Sequence, residues 1–302
     1  MKSEGKKSAH DAETRANAFI IPTLGDIEVA NLKSKTIRTW RDNLAATPAR
    51  IRTKAGKDQA YKKSNDPETE RKRKATVNRL FSTLRAALNH AFQHGRVSSD
   101  IEWRRVKAFR NVDAARLRYL TIEESTRLLN LCNNDIKLLV KAALLTGARA
   151  GELSALLAED FNSDTGTIHI KQSKSGKARH IYLTDEGITF IKRQVINKTD
   201  KDFLFLRENG LPWKKNDHSR PFKEACDKAN IKLTFHELRH TYASLSVMNS
   251  MPLMVLAKQL GHSDTRMVEK HYGHLSNSYV KDAIRASAPN FGFTKDNVTS
   301  IK

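Results

Sequence analysis

Hydrophobic spacing constrains this chain most. Along much of its length apolar residues recur three and four apart, as in helices that bury one face, and two stretches break the pattern. The clearest stripe is Val77, Leu80, Phe81, Leu84, Leu88, Ala91 and Phe92, stopped by Gly95, with Arg79, Arg85, His90 and His94 on its other face. Just before it, residues 47–75 hold ten Lys or Arg against four acids and almost no large apolar side chains. That composition reads as a basic loop, unable to order itself by burial. The second break, residues 98–118, reads as an arginine-rich linker containing Arg104, Arg105, Arg110, Arg116 and Arg118.

Beyond the linker, Thr121 and Glu124 have capping-box spacing. Two helices are expected from there, over roughly 121–132 and 135–146, with Gly147 ending the second. Thr167-Ile168-His169-Ile170 and His180-Ile181-Tyr182-Leu183 alternate like strands around a lysine-rich turn. The remainder to about residue 287 reads as mostly helical. The expectation is therefore a mainly α protein in two parts. A polar tail over 1–14 precedes a helical domain over 15–112 that carries the basic loop 47–75. An α+β domain over 113–302 follows, with a small antiparallel sheet and a C-terminal tail.

Charge narrows the partner. Among 302 residues, 54 Lys and Arg face 33 Asp and Glu, a net charge of +21. Such a surface favours a polyanion, with nucleic acid as the first choice and an anionic membrane surface as the lesser one. The two cysteines, Cys132 and Cys226, are isolated, which excludes a disulfide framework or a cysteine-rich zinc site and fits a reducing compartment. No apolar run approaches the length of a membrane span, so no membrane partner is expected and the location is read as cytoplasmic.

Two chemistries compete for His236-Glu237-Leu238-Arg239-His240. As H-E-x-x-H it could be a zinc-hydrolase helix, with His236 and His240 as ligands and Glu237 as base. Against this, Arg239 would set a fixed cation beside the metal, and the large positive charge has no use in peptide hydrolysis. As a phosphate site the segment makes more sense. A phosphodiester transition state gathers negative charge that guanidinium groups match in shape and sign. Arg149 follows Thr146-Gly147-Ala148 at an expected helix start. Arg239 and His236 lie three apart on one helical face. His262 follows Gly261 where another helix is expected to begin, and Tyr272, beside Gly273, is a candidate nucleophile.

With these residues assembled, the chain resembles the tyrosine recombinases of the phage-integrase type. Thr146-Gly147-Ala148-Arg149-Ala150-Gly151-Glu152-Leu153 is similar to the family's first-arginine box. His236-Glu237-Leu238-Arg239-His240 is similar to its H-x-x-R box. Leu260-Gly261-His262 and Tyr272 are similar to its terminal box, and Lys174 matches its β-hairpin lysine. The resemblance implies that Tyr272 attacks the scissile phosphate to give a 3′-phosphotyrosine. Arg149 and Arg239 would clamp the phosphate, and Lys174 would protonate the leaving 5′ oxygen. His236 would accept the proton of Tyr272 or orient it, His262 would donate to the phosphate, and Glu152 would support the site. It implies no metal and no cofactor, because the phosphotyrosine keeps the bond energy. It also implies double-stranded DNA as the partner and a homo-tetramer on two DNA sites, with accessory DNA-bending or directionality factors. Many members carry a further N-terminal arm-binding domain, for which the stretch before Ile20 is too short. Arg79, Arg116, Arg118 and Lys177 are candidate DNA contacts, while Glu237 and His240 are left with structural roles. The alternatives are a type IB topoisomerase-like enzyme or an inactive DNA-binding relative, and more remotely the zinc-dependent hydrolase.

Overall fold

Asp66-Pro67 starts the longest helix among the described residues. The Asp66 carboxylate accepts from the backbone N–H of Thr69 at 2.9 Å, and Pro67 supplies a fixed φ in the first turn. Helix α4 therefore runs Pro67–Gln93, and the expected basic loop gives up its last nine residues to the first turns of this helix. Side-chain pairs at helical spacing, Glu68 with Arg71 and Lys72 and Glu70 with Lys74, make a stable helix face out of what looked like a charge run. Arg73 turns inward instead, and its Nε donates to the carbonyls of Leu44 and Thr47, each at 2.8 Å.

A computed structural model describes residues 9–51, 53–54, 56–62, 66–112, 118–171, 178–273, 284–285, 287–289 and 291. The chain divides into two units, Met1–Ala114 and Ala115–Lys302. In the first, helices α1 (Ala9–Phe19), α2 (Ile21–Leu24), α3 (Ser34–Ala46) and α5 (Ile101–Arg104) accompany α4. The polar tail expected over 1–14 thus enters α1 at Ala9. Its core joins Ile37 and Trp40 of α3, Leu80, Phe81, Leu84 and Leu88 of α4, and Trp103 and Val106. The arginine-rich stretch is consequently not a bare linker. Trp103 is buried with its indole N–H on Asn89 at 2.7 Å, and the Asn78 side chain brackets the backbone of Phe109 with two bonds of 2.9 Å.

The second unit contains α6 (Ile122–Leu131), α7 (Asn134–Thr146), α8 (Ala150–Leu153), α9 (Asp185–Val195), α10 (Ser219–Lys228), α11 (Phe235–Met248), α12 (Leu253–Leu260) and α13 (Arg266–Tyr272). The capping box of Thr121 and Glu124 is formed in both directions, at 3.1 Å each way. Apolar α7 is buried along Ile136, Leu139, Val140 and Ala143 and packs on α11. A three-stranded antiparallel sheet, β1 (Phe161–Asn162), β2 (Thr167–Ile170) and β3 (Arg179–Tyr182), runs in chain order, with Ile168 opposite Ile181. β1 had no signal in the sequence, being two residues long. Cys132 and Cys226 are buried free thiols, pushed up by burial to about 11 and about 12. Among the described residues no helix is long and apolar enough to cross a membrane.

Candidate functional site

Two left-handed glycines bring three helices together. Gly147 ends α7 at φ 65° and Gly261 ends α12 at φ 73°, the conformation glycine adopts without cost. Neither could carry a side chain. A Cβ on Gly147 would lie 2.6 Å from the Tyr242 ring, and one on Gly261 2.7 Å from Cδ of Arg179. Into the gap between these two helix ends α11 inserts Arg239, 4% exposed. Its Nη1 donates to the carbonyl of Gly147 at 2.9 Å and its Nη2 to that of Leu260 at 2.6 Å. The guanidinium thus caps two helix C-termini at once, where carbonyl dipoles favour a cation. The same Nη2 lies 3.3 Å from Nε2 of His262.

His262 therefore stands just past the C-terminus of α12, in the turn before α13, and not at the start of a helix as its sequence context suggested. Burial, and after it the charges of Arg239, Arg149 and Arg179, lower its basicity.

Arg149 is the residue just before the short helix α8, as expected. Its backbone N–H and its Nη1 both donate to Glu152, at 2.9 and 2.7 Å. Glu152 is buried, and it also receives both Nη groups of Arg179 from β3, at 3.1 and 2.8 Å. Burial alone would raise this carboxyl, but the bonds from Arg179 and Arg149 outweigh it and hold it at about 2. Arg179 further donates from Nε to the carbonyl of Gln259 at 3.2 Å, and the Gln259 side chain bonds the N–H and C=O of Tyr182 like an extra strand. The basin so formed holds three guanidinium groups against one carboxylate. Burial and the neighbouring Arg149 lower Arg239 to about 9, which leaves it protonated at neutral pH.

Tyr272, at the end of α13, is 6% exposed, and burial pushes its phenol up to about 12 while Arg239 pulls the other way. Its hydroxyl bonds Nδ1 of His240, not His236. Sequence reasoning assigns the tyrosine proton to His236 and a structural role to His240; the hydroxyl contact is with His240. His236 is exposed and lies edge-on to His240, ring centroids 5.3 Å apart. Burial, then His236 and His271, lower His240 to about 4.

Glu237, the base of the zinc reading, is engaged at the start of its own helix. Glu237 occupies the third position of α11, where its carboxylate accepts from the N–H and hydroxyl of Thr234 at 2.6 and 2.8 Å. Among the described residues no three His, Cys, Asp or Glu side chains converge as a metal-binding group.

Two participants escaped sequence reasoning. Arg179 follows the lysine-rich turn and looked like part of it. Its signal was strand alternation, which places it on the same face as buried Ile181. His240 was hidden by its equivalence with His236 one turn away. Lys174, Lys177 and Arg116 lie outside the described residues. Lys171, at the base of the same turn, pairs with Glu159 and Asp160. Arg118 is bonded to Glu124 at 3.1 Å, and Arg79 is exposed on α4 in the other unit.

Residues 118–278, more than half of the chain, match the profile described as the phage integrase family. A tyrosine recombinase, XerA, of Saccharolobus solfataricus is 32% identical over 162 residues, covering 51% of this chain and 53% of the relative. The chain spans about half the length of the curated relatives it matches. Among solved structures, the Tn1549 transposon integrase in complex with circular intermediate DNA superposes with a TM-score of 0.69 at 19% identity, over 94% of each chain. A lambda integrase tetramer bound to a Holliday junction gives 0.66 at 18% identity, over 88% of this chain and 71% of that one. At these identities the two structures speak for the fold alone, which is the same mostly helical one. Together with the profile match over the unit that carries Arg149, Arg239, His262 and Tyr272, they lead to one conclusion: the chain belongs to the phage integrase family of tyrosine recombinases.

Proposed function

We propose that this protein is a site-specific DNA recombinase that cuts and rejoins duplex DNA through a 3′-phosphotyrosine, integrating or excising a mobile element. The observation that carries this reading is the excess of positive charge at the site. Three guanidinium groups meet a single buried carboxylate, with Tyr272 beside Arg239. Such a basin is short of negative charge, and a phosphodiester supplies it where a neutral peptide would not.

In this reading Arg149 and Arg239 hold the non-bridging oxygens and His262 donates to one of them. Glu152 fixes Arg149 through bonds to its side chain and its backbone. Tyr272 Oη forms a bond to phosphorus as the bond from phosphorus to the 5′ oxygen breaks. Lys174 gives the leaving oxygen its proton; the engagement of Lys171 with Glu159 and Asp160 favours Lys174 over it. The released 5′ hydroxyl of a partner strand reverses these steps, so the bond energy is conserved and neither nucleotide nor metal enters. We extend the reading to the whole assembly. The first unit supplies a core DNA-binding domain with Arg79 as a backbone contact, and Arg116, Arg118 and Lys177 of the second unit contact the backbone as well. Four copies act on two DNA sites, a reading supported by the lambda integrase tetramer bound to a Holliday junction.

The test is covalent capture. The full chain is incubated in EDTA with a pool of nicked duplexes of randomised sequence, and protein–DNA adducts are isolated on a denaturing gel and sequenced. A defined duplex should emerge, and Tyr272→Phe should yield none. The reading fails if the wild type captures nothing, if Tyr272→Phe still forms adducts, or if EDTA abolishes capture. Transfer of the captured strand to a second duplex separates a recombinase from a topoisomerase-like relaxing enzyme.

A further inference from the structure

Tyr272 and His240 meet through atoms that matter for reaction. Oη of Tyr272 bonds Nδ1 of His240, with ring centroids 5.8 Å apart and planes inclined at 46°. The groups that bear on His240 come from two elements. His236, Glu237 and Arg239 belong to its own helix α11, and His271 and Tyr272 come from α13. Of these, His236 is exposed to solvent and stands edge-on to His240, its ring plane at 86°.

We propose that His240, and not His236, takes the proton of Tyr272 during strand cleavage, with His236 as the outlet from His240 to solvent. The inference rests on the reading of Tyr272 as the nucleophile. The Oη–P bond forms, the P–O5′ bond breaks and the Oη proton passes to Nδ1 of His240. The leaving oxygen takes a separate proton from the lysine side of the site. On rejoining, each transfer runs backward.

The resting state has the right polarity for this. Burial, then His236 and His271, keep His240 neutral at physiological pH, so Nδ1 accepts and the hydrogen rides on Nε2. Burial keeps Tyr272 protonated, so its hydroxyl donates. Both members of the pair are therefore uncharged at rest. An anionic phosphate docked on Arg149, Arg239 and His262 adds a negative charge near the imidazole, which favours its protonated form.

The test uses the nicked duplex recovered by the wild type, in two forms: one with the natural 5′ oxygen at the scissile phosphate and one with a bridging 5′ sulfur. A thiolate leaves without a proton, so the sulfur form rescues variants that lack the acid and does nothing for those that lack the base. His240→Asn can still accept the tyrosine's hydrogen bond through Oδ1 but cannot take its proton. We expect His240→Asn and His240→Ala to slow adduct formation about 100- to 1,000-fold with both leaving groups, and His236→Asn about 10-fold. Rates are normalised to the fraction of each preparation that binds the duplex, and the sulfur-to-oxygen ratio within one variant does not depend on how much of it is folded. The proposal is overturned if His240→Asn cleaves at the wild-type rate, if sulfur restores it as it should restore Lys174→Ala, or if His236→Asn is the more defective. Failure of the recombinase reading looks different, because then the wild type forms no adduct or Tyr272→Phe forms one.

Discussion

Each unit of this protein buries an arginine. Arg73 in the first is 7% exposed and Arg239 in the second 4%. Both spend donors on main-chain carbonyls, Arg73 on Leu44 and Thr47, Arg239 on Gly147 and Leu260. The surroundings separate them. Arg73 ties the end of α3 to α4, and the charges that bear on it are those of Arg50 and Tyr61. Arg239 sits with Arg149, Arg179 and His262 around one carboxylate, next to a tyrosine that is itself bonded to a histidine. Burial and carbonyl bonds therefore mark framework. Uncompensated like charge beside a nucleophile marks a site built for an anion.

The comparison can be broken experimentally, most sharply at Arg239 itself. Lysine keeps the charge but cannot span two carbonyls and a phosphate, so Arg239→Lys should slow adduct formation about 100- to 1,000-fold on the captured duplex. Arg73→Lys should leave that rate, per bound DNA, unchanged. Equal losses in the two variants would dissolve the distinction. Next is the carboxylate. Glu152→Gln leaves Arg149 and Arg179 without their counter-charge, a loss of about 3–5 kcal/mol in thermal or denaturant unfolding. The sign with pH follows from its depressed value. Glu152 ionises at about 2 in the fold against 4.5 as an ordinary side chain. Its contribution is complete above about pH 4.5 and is lost as pH falls toward 2. The gap between wild type and Glu152→Gln should be flat near neutrality and close on acidification over that range; a gap that persists at pH 2 would refute the ion-pair account.

Smaller effects sharpen the contrast. Arg73→Ala strands two carbonyls and should cost about 1–3 kcal/mol, read as earlier melting of the first unit. Gly261→Ala must hold a left-handed φ and push into Arg179, so it should cost a similar amount, about 1–3 kcal/mol, and also slow cleavage. Smallest is exposed Arg79→Ala, for which the expected result is weaker binding to all sequences and a salt-dependence slope reduced by about 1.

Much of this site was legible residue by residue. The helical stripe through Val77 and Leu88, the capping box at Thr121, the breaks at Gly147 and Gly261 and the family's boxes are local patterns, written within a few turns of chain. What escaped was of two kinds. Short-range charge pairing turned residues 67–75 from apparent loop into helix, because Asp66-Pro67 starts a helix that needs no apolar face in its first turns. And contacts between distant segments carry no local mark. Arg179 reaches Glu152 across 27 residues, and Trp103 and Val106 of the presumed linker are core.

The sequence by itself determined the family and the alternation of helices with a small sheet, and it put forward Arg149, Arg239, His262 and Tyr272 as one set, because motif order and spacing are one-dimensional properties. Only the tertiary structure decided which histidine meets the tyrosine. His236 and His240 lie one turn apart on the same face of α11, so periodicity cannot rank them. The choice belongs to α13, whose packing brings Tyr272 to His240 from 32 residues away.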